Sequence, residues 1–178
     1  YDIPIVQPEH GIYHPSLPID ATLAEWFVRT NPEQPTIALL FYRSHWLSGN
    51  TAFIDALVHT LETNQVNVLP IFTSSLREHH PKGQVNGKTV AQFPQALDFL
   101  LDKQGDSIVD VVINTMSYAT GGINPDGATL SSWAVEAFEA LNVPVLQAIT
   151  GRTTRWQWEN ASRGLTPLDT AANVALPE

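Results

Sequence analysis

Thr36-Ile37-Ala38-Leu39-Leu40-Phe41-Tyr42 is a continuous apolar run of strand length, and it passes without a spacer into Arg43-Ser44-His45-Trp46. Because successive residues are apolar, rather than alternate ones, the run reads as a strand buried on both faces. Residues 50–63 follow, with Phe53, Ile54, Leu57, Val58 and Leu61 at the spacing of one helix face. The same alternation continues downstream. Residues 66–72, 108–114 and 144–149 read as further buried strands, and residues 93–101 and 130–141 as helices.

Strands separated by helices require crossover connections, which are right-handed and give a parallel sheet. The predicted fold is therefore α/β: an open, mainly parallel sheet of about four to five strands flanked by helices, Rossmann-like or flavodoxin-like. Upstream, Pro4, Pro8, Pro15, Pro18, Pro32 and Pro35 punctuate the chain. Proline fixes φ and biases its predecessor toward extended geometry, so residues 1–35 read as a Pro-rich extended arm ahead of an α/β domain at 36–178. One short helix is expected inside the arm, capped by Asp20, with Leu23, Trp26 and Phe27 on one face. Residues 77–88, polar with two glycines and a proline, read as a long loop or a lineage insertion. Residues 120–127, with three glycines and Pro125, read as a second. The chain starts at Tyr1 and ends at Val174-Ala175-Leu176-Pro177-Glu178, and both ends are expected to be cuts from a longer polypeptide.

Composition removes several function classes. Nine Lys and Arg against eighteen Asp and Glu give a net charge of −9 with no basic cluster, which argues against nucleic acid and anionic membrane surfaces as partners. There is no cysteine, so disulfides, thiolate metal sites and thiol catalysis are absent. No apolar run approaches the roughly 18 to 20 residues of a membrane span.

In an open parallel sheet, ligands bind at the carboxyl ends of the strands, beside the switch point in strand order. Those ends read Arg43-Ser44-His45-Trp46, Thr73-Ser74-Ser75, Asn114-Thr115-Met116-Ser117 and Thr150-Gly151-Arg152. All are polar. His45 is a candidate proton carrier or metal ligand, set against a histidine satisfied by backbone. Arg43 has the fork to meet a carboxylate, or ties two loops together. Ser44 beside His45 is no catalytic pair, since sequence neighbours point apart. Ser44, Trp46, Asn114, Thr115 and Arg152 complete the candidate binding set.

Other features are weaker. His79-His80 sit in the polar stretch, where neighbouring side chains diverge. His10 and His14 are four apart, but Gly11 and Pro15 oppose a helix there, so the i, i+4 zinc geometry fails. His59 reads as a surface residue on its helix. Thr120-Gly121-Gly122 lacks the spacing of a phosphate loop. Trp156 and Trp158, two apart on a helical turn, cannot face one side, so one is expected in the core and the other at a contact surface. Residues 162–169 read as a helix stop, a turn and a new helix with Pro167 at its first position.

Longer blocks carry a resemblance. Gly11-Ile12-Tyr13-His14-Pro15, Leu40-Phe41-Tyr42-Arg43-Ser44-His45-Trp46-Leu47-Ser48-Gly49-Asn50-Thr51 and Val66-Asn67-Val68-Leu69-Pro70-Ile71-Phe72 resemble the large subunit of aerobic cobaltochelatase, the CobN family. So do Leu141-Asn142-Val143-Pro144-Val145-Leu146-Gln147, Arg163-Gly164-Leu165-Thr166-Pro167 and Asn173-Val174-Ala175-Leu176-Pro177-Glu178. The blocks run in order through nearly the whole chain. The related large subunit of magnesium chelatase shares the Arg-Ser-His and the final block, but not the Phe-Tyr before that arginine nor the Trp-Leu-Ser-Gly-Asn after it, so the cobalt type is the preferred reading.

That resemblance implies one domain of a much longer cytoplasmic subunit. The parent would bind a tetrapyrrole and insert Co2+ into hydrogenobyrinic acid a,c-diamide in cobalamin biosynthesis, a ligase reaction forming nitrogen–metal bonds. ATP would be hydrolysed by two AAA+ type partner subunits, not by this chain. The alternatives are Mg2+ insertion into protoporphyrin IX and a non-catalytic docking module of such a subunit. By the same resemblance His45 and Glu178 fall on family-motif positions, His45 as proton relay or transient metal ligand and Glu178 as base or ligand. Arg43 would meet a carboxylate side chain of the macrocycle, and Trp46 would offer a stacking face or pack under the first helix.

Overall fold

The computed structural model describes residues 7–76, 78–116, 133–151, 153–162, 164 and 166. The long apolar run is strand β2 (Thr36–Tyr42). It lies at the middle of a five-stranded sheet with β1 (His10–Ile12), β3 (Asn67–Thr73), β6 (Val111–Asn114) and β7 (Val145–Gln147). The spatial order is β1-β3-β2-β6-β7. β3, β2, β6 and β7 are mutually parallel, and β1 runs antiparallel to β3, His10 opposite Thr73. Taken in chain order, the parallel strands lie second, first, third, fourth, the flavodoxin-like arrangement. The switch point falls between β2 and β6.

β2 shows why a fully apolar strand was required. Leu39 and Phe41 pack with Ile54, Val58, Val68 and Phe72 under helix α3 (Ala52–Thr63). Ala38 and Leu40 point the other way, into a core with Leu69, Ile71, Phe93, Leu97 and Val112. Successive side chains of a strand alternate between faces, and here both faces are covered.

Three expectations need correction. The polar stretch read as a loop is instead largely a hairpin: His79–Val85 (β4) and Lys88–Pro94 (β5) pair antiparallel on the second core. Its two-residue connection is Asn86-Gly87, both at positive φ (46° and 74°), the backbone that tight hairpin turns demand. Phe93 belongs to β5, and the following turn is a 3-10 helix at Gln95–Leu100. Within the arm, helix α1 (Leu23–Phe27) is capped by Thr22, not Asp20. Thr22 accepts from the Glu25 amide at 3.3 Å while the Glu25 carboxylate accepts from the Thr22 amide at 2.7 Å, a reciprocal box that Asp20 cannot make. Trp26 is buried, its indole N–H donating to the Val68 carbonyl at 2.7 Å, whereas Phe27 is largely exposed.

The arm is thus part of the sheet layer. Gly11 lies so close to Phe72 that a Cβ would stand 2.8 Å from the ring, which explains glycine there. Downstream, helix α4 (Trp133–Leu141) precedes β7. Asn86 Nδ2 donates to the carbonyls of Ala140 and Leu141 at 2.9 and 2.8 Å, so the hairpin turn caps the end of α4. Helix α5 (Arg155–Glu159) opens on a Thr154–Gln157 capping box. Both of its tryptophans are exposed, Trp156 at 72% and Trp158 at 56%, and neither is core, α5 having no buried residue. Among the described residues no helix is long and apolar enough to cross a membrane. The loop at 120–127 and the helix read after Pro167 lie outside the described residues.

Candidate functional site

β2 turns directly into helix α2 (Arg43–Ser48), beginning at the residue after the strand's last. Gly49, at φ 69°, ends α2 in the left-handed conformation that glycine adopts without steric cost. Residues 43–48 are therefore a helix of their own, and α3 starts at Ala52 rather than at residue 50. The short helix sets Arg43, Ser44, His45 and Trp46 around one turn at the carboxyl edge of the central strand.

Each side chain then finds a different environment. The Trp46 indole stacks on Phe72, ring centroids 4.3 Å apart, so one aromatic face is spent on packing. The His45 ring meets Phe53 of α3 edge-on at 4.9 Å. Among the described residues its ring nitrogens make no hydrogen bond, and burial pushes its pKa below the usual 6.5. A neutral imidazole with an available lone pair is what a proton acceptor or a cation ligand needs. Ser44 is exposed.

Arg43 faces the arm. Its Nε donates to the Pro8 carbonyl at 2.6 Å, its Nη2 to the Gln7 carbonyl at 2.9 Å, and Nη2 lies 3.6 Å from the Glu9 carboxylate. Of the two open readings for this residue, tying segments together is visible directly. Glu9 and Ser74, neither singled out from the sequence as a site residue, join it at this edge: Ser74 Oγ donates to Glu9 Oε2 at 2.6 Å.

At the end of β6, Asn114 and Thr115 are buried and turned inward. Thr115 Oγ donates to the Leu40 carbonyl at 2.8 Å. Asn114 Nδ2 donates to Gln147 Oε1 at 2.9 Å and its Oδ1 accepts from the Met116 amide at 3.1 Å. Gln147 closes the loop by donating to the Met116 carbonyl at 2.8 Å. These bonds tie the carboxyl end of β6 to β2 and β7. Arg152 and Glu178 lie outside the described residues.

The remaining histidines are placed elsewhere. His14 is buried; its Nδ1 accepts from the Ser16 amide at 3.2 Å, leaving Nε2 to donate to Glu62 at 3.0 Å. His10 lies in a strand, so the helical pair with His14 is absent. His59 is exposed on α3. His80 Nε2 lies 2.7 Å from Asp98, which Lys82 also contacts at 2.6 Å. Among the described residues no three His, Asp or Glu side chains gather into a set able to hold a metal ion.

Comparison with known proteins adds the family. The model of the family described as CobN/Magnesium Chelatase matches residues 1–178. The aerobic cobaltochelatase subunit CobN of Pseudomonas aeruginosa is 34% identical over 175 residues, covering 98% of this chain and 12% of that protein. The H-type magnesium-chelatase subunit of Cereibacter sphaeroides is also 34% identical, over 177 residues, covering 98% of this chain and 13% of that protein. The chain therefore spans about one eighth of the length of these curated relatives. A solved structure, the catalytic subunit of cobaltochelatase from Mycobacterium tuberculosis, superposes with a TM-score of 0.62 at 28% identity, over 98% of this chain and 12% of that one.

Proposed function

The chain belongs to the CobN/magnesium chelatase family, and on that premise we propose that it forms one wall of the tetrapyrrole and metal site in the large subunit of an ATP-dependent cobaltochelatase. Inserting a divalent cation into a tetrapyrrole displaces inner N–H protons of the macrocycle, so the site needs a proton acceptor and ligands that release the metal. The observation that carries the reading is His45: on the helix that begins where the central strand ends, its imidazole has no hydrogen-bond partner among the described residues, and burial lowers its pKa.

In this reading His45 accepts a pyrrole proton or holds the substrate metal in transit, and Glu178 is its carboxylate companion. Imidazole suits cobalt(II), and a carboxylate both binds cations and takes protons. Arg43 meets a carboxylate side chain of the macrocycle, with Ser44, the exposed edge of Trp46, and Arg152 as further contacts. Asn114 and Thr115 act by holding the β6 wall. ATP hydrolysis belongs to two AAA+ type partner subunits, and the assembly works in the cytoplasm. The preference for Co2+ over Mg2+ rests on Phe41-Tyr42 before Arg43 and on residues 46–50 after it, since relatives of both kinds are equally identical overall.

The test is His45→Ala and Glu178→Ala in the full-length subunit, assayed with its ATPase partners and either Co2+ or Mg2+. We expect each variant to slow insertion by about 100-fold or more, the scale of a lost proton acceptor. Wild-type rates in both variants would make this domain a docking module. Insertion of Mg2+ into protoporphyrin IX with no activity toward Co2+ would establish the magnesium reading instead.

A further inference from the structure

At the carboxyl ends of β2 and β3 the chain already holds a carboxylate. Glu9 stands between Arg43, the first residue after β2, and Ser74, the first after β3. Glu9 Oε2 accepts from Ser74 Oγ at 2.6 Å, and its Oε1 lies 3.6 Å from Arg43 Nη2. A guanidinium and a hydroxyl converging on one carboxylate make a recognition site for that group.

The two kinds of contact on Arg43 have separate roles. The Gln7 and Pro8 carbonyls accept from Nη2 and Nε at 2.9 and 2.6 Å, which orients the fork without neutralising it. Among the described residues, Glu9 supplies the one carboxylate within ion-pair range of Arg43. The backbone at Glu9 is tied down independently, the Ser74 amide donating to the Glu9 carbonyl at 3.1 Å. The Glu9 side chain can therefore rotate away while the arm and the guanidinium stay in place. Its side chain is 52% exposed, against 18% for Arg43, so the mobile partner faces solvent and the fixed one is sheltered. An exposed ion pair of this kind is weak, and an incoming carboxylate can replace it.

We propose that Arg43 and Ser74 form a carboxylate-binding subsite, that Glu9 is its internal occupant in the unliganded chain, and that a carboxylate side chain of the ligand displaces Glu9. The inference rests on the tetrapyrrole reading above and deepens it by naming the group recognised and the residue that competes for the place.

The experiment uses the full-length subunit with two probes, coproporphyrin III, which carries four propionates, and its uncharged tetraamide, followed by porphyrin absorbance. Glu9→Gln should tighten binding of the tetraacid by about three- to tenfold, the relief expected if Glu9 fills the subsite roughly 70 to 90% of the time. The tetraamide should be unaffected, and Ser74→Ala should weaken the tetraacid alone. Equal affinity of both probes in wild type and Glu9→Gln overturns this proposal while leaving the tetrapyrrole reading intact. Failure of both porphyrins to bind overturns both readings. A Glu9→Gln variant with a lowered unfolding midpoint and no gain for the tetraacid makes Glu9 an arm anchor and overturns the subsite.

Discussion

The Trp46 indole lies flat on the Phe72 ring, with centroids 4.3 Å apart and planes 5° from parallel. Phe72 belongs to β3 and Trp46 to α2, so this stack fastens the site helix to the neighbouring strand. Phe72 is in turn overlain by Gly11 of the arm. One ring thus gathers the arm, the sheet and the helix that carries His45.

Removing the stack should loosen that helix. Trp46→Ala is expected to destabilise the chain by about 2–4 kcal/mol, somewhat less than truncating a fully buried core aromatic because the indole is only partly buried. Trp46→Phe should recover most of the loss. Urea unfolding midpoints check both, and equal midpoints for wild type and Trp46→Ala would rule out the anchoring role.

Stability should fall on mild acidification. Burial holds the His14 pKa below the usual 6.5, against the opposing pull of its bond to Glu62. His45 and His79 are lowered in the same way. As pH drops through about 6.5 the unfolded chain takes up protons that the folded chain refuses, so stability is full above that pH and is lost below it. The urea midpoint should therefore drop between about pH 7.5 and 5.5, and His14→Gln should flatten the slope. A pH-independent midpoint across that window would refute the linkage.

Asn86 joins three segments: its own hairpin turn, the end of α4 through Ala140 and Leu141, and the stretch before β6 through the Ser107 amide, from which it accepts at 2.8 Å. Asn86→Ala places a side chain poorly suited to φ 46° and strands three backbone groups, a loss of about 2–4 kcal/mol. Asn86→Gly relieves only the backbone and should remain clearly destabilised. Thermal unfolding distinguishes them; an Asn86→Gly variant as stable as wild type would show that the caps contribute nothing.

Asn114 and Thr115 should behave as wall-builders. Thr115→Val loses one hydroxyl bond while the Thr115 amide still serves the Leu40 carbonyl at 2.9 Å, so about 1 kcal/mol is expected. Asn114→Ala strands Gln147 and the Met116 amide, for about 2–3 kcal/mol. In the full-length subunit, tetrapyrrole affinity should change less than stability does. Intact stability with a lost affinity would place both side chains on the ligand instead.

The strands were legible to the extent that they are buried. β2 and β3 lie under helical or hairpin cover on both faces, so their interiors, residues 37–41 and 68–72, are apolar throughout and announce themselves. The β4–β5 hairpin was hidden because none of His79-His80-Pro81-Lys82-Gly83-Gln84 is fully buried, with Val85, Val90 and Phe93 supplying its buried contacts. Its one local signal was Asn86-Gly87. β1 escaped notice for another reason: three residues among prolines have no pattern, and they become a strand only by pairing with β3. At the site, His45 was readable from its place after a strand, whereas Glu9 and Ser74, 65 residues apart, carry no mark of each other.

Burial pattern and motif order are written along the chain, and they were enough for a mainly parallel α/β fold, for β2 running into Arg43-Ser44-His45-Trp46, and for the family. The strand order, the arm's pairing with β3, the direction in which Asn114 and Thr115 point, and the carboxylate that Arg43 holds emerged from the folded chain alone. Those depend on which distant segments meet, and the free energy of such meetings comes from shape and hydrogen bonding across the sheet, which no local run of residues encodes.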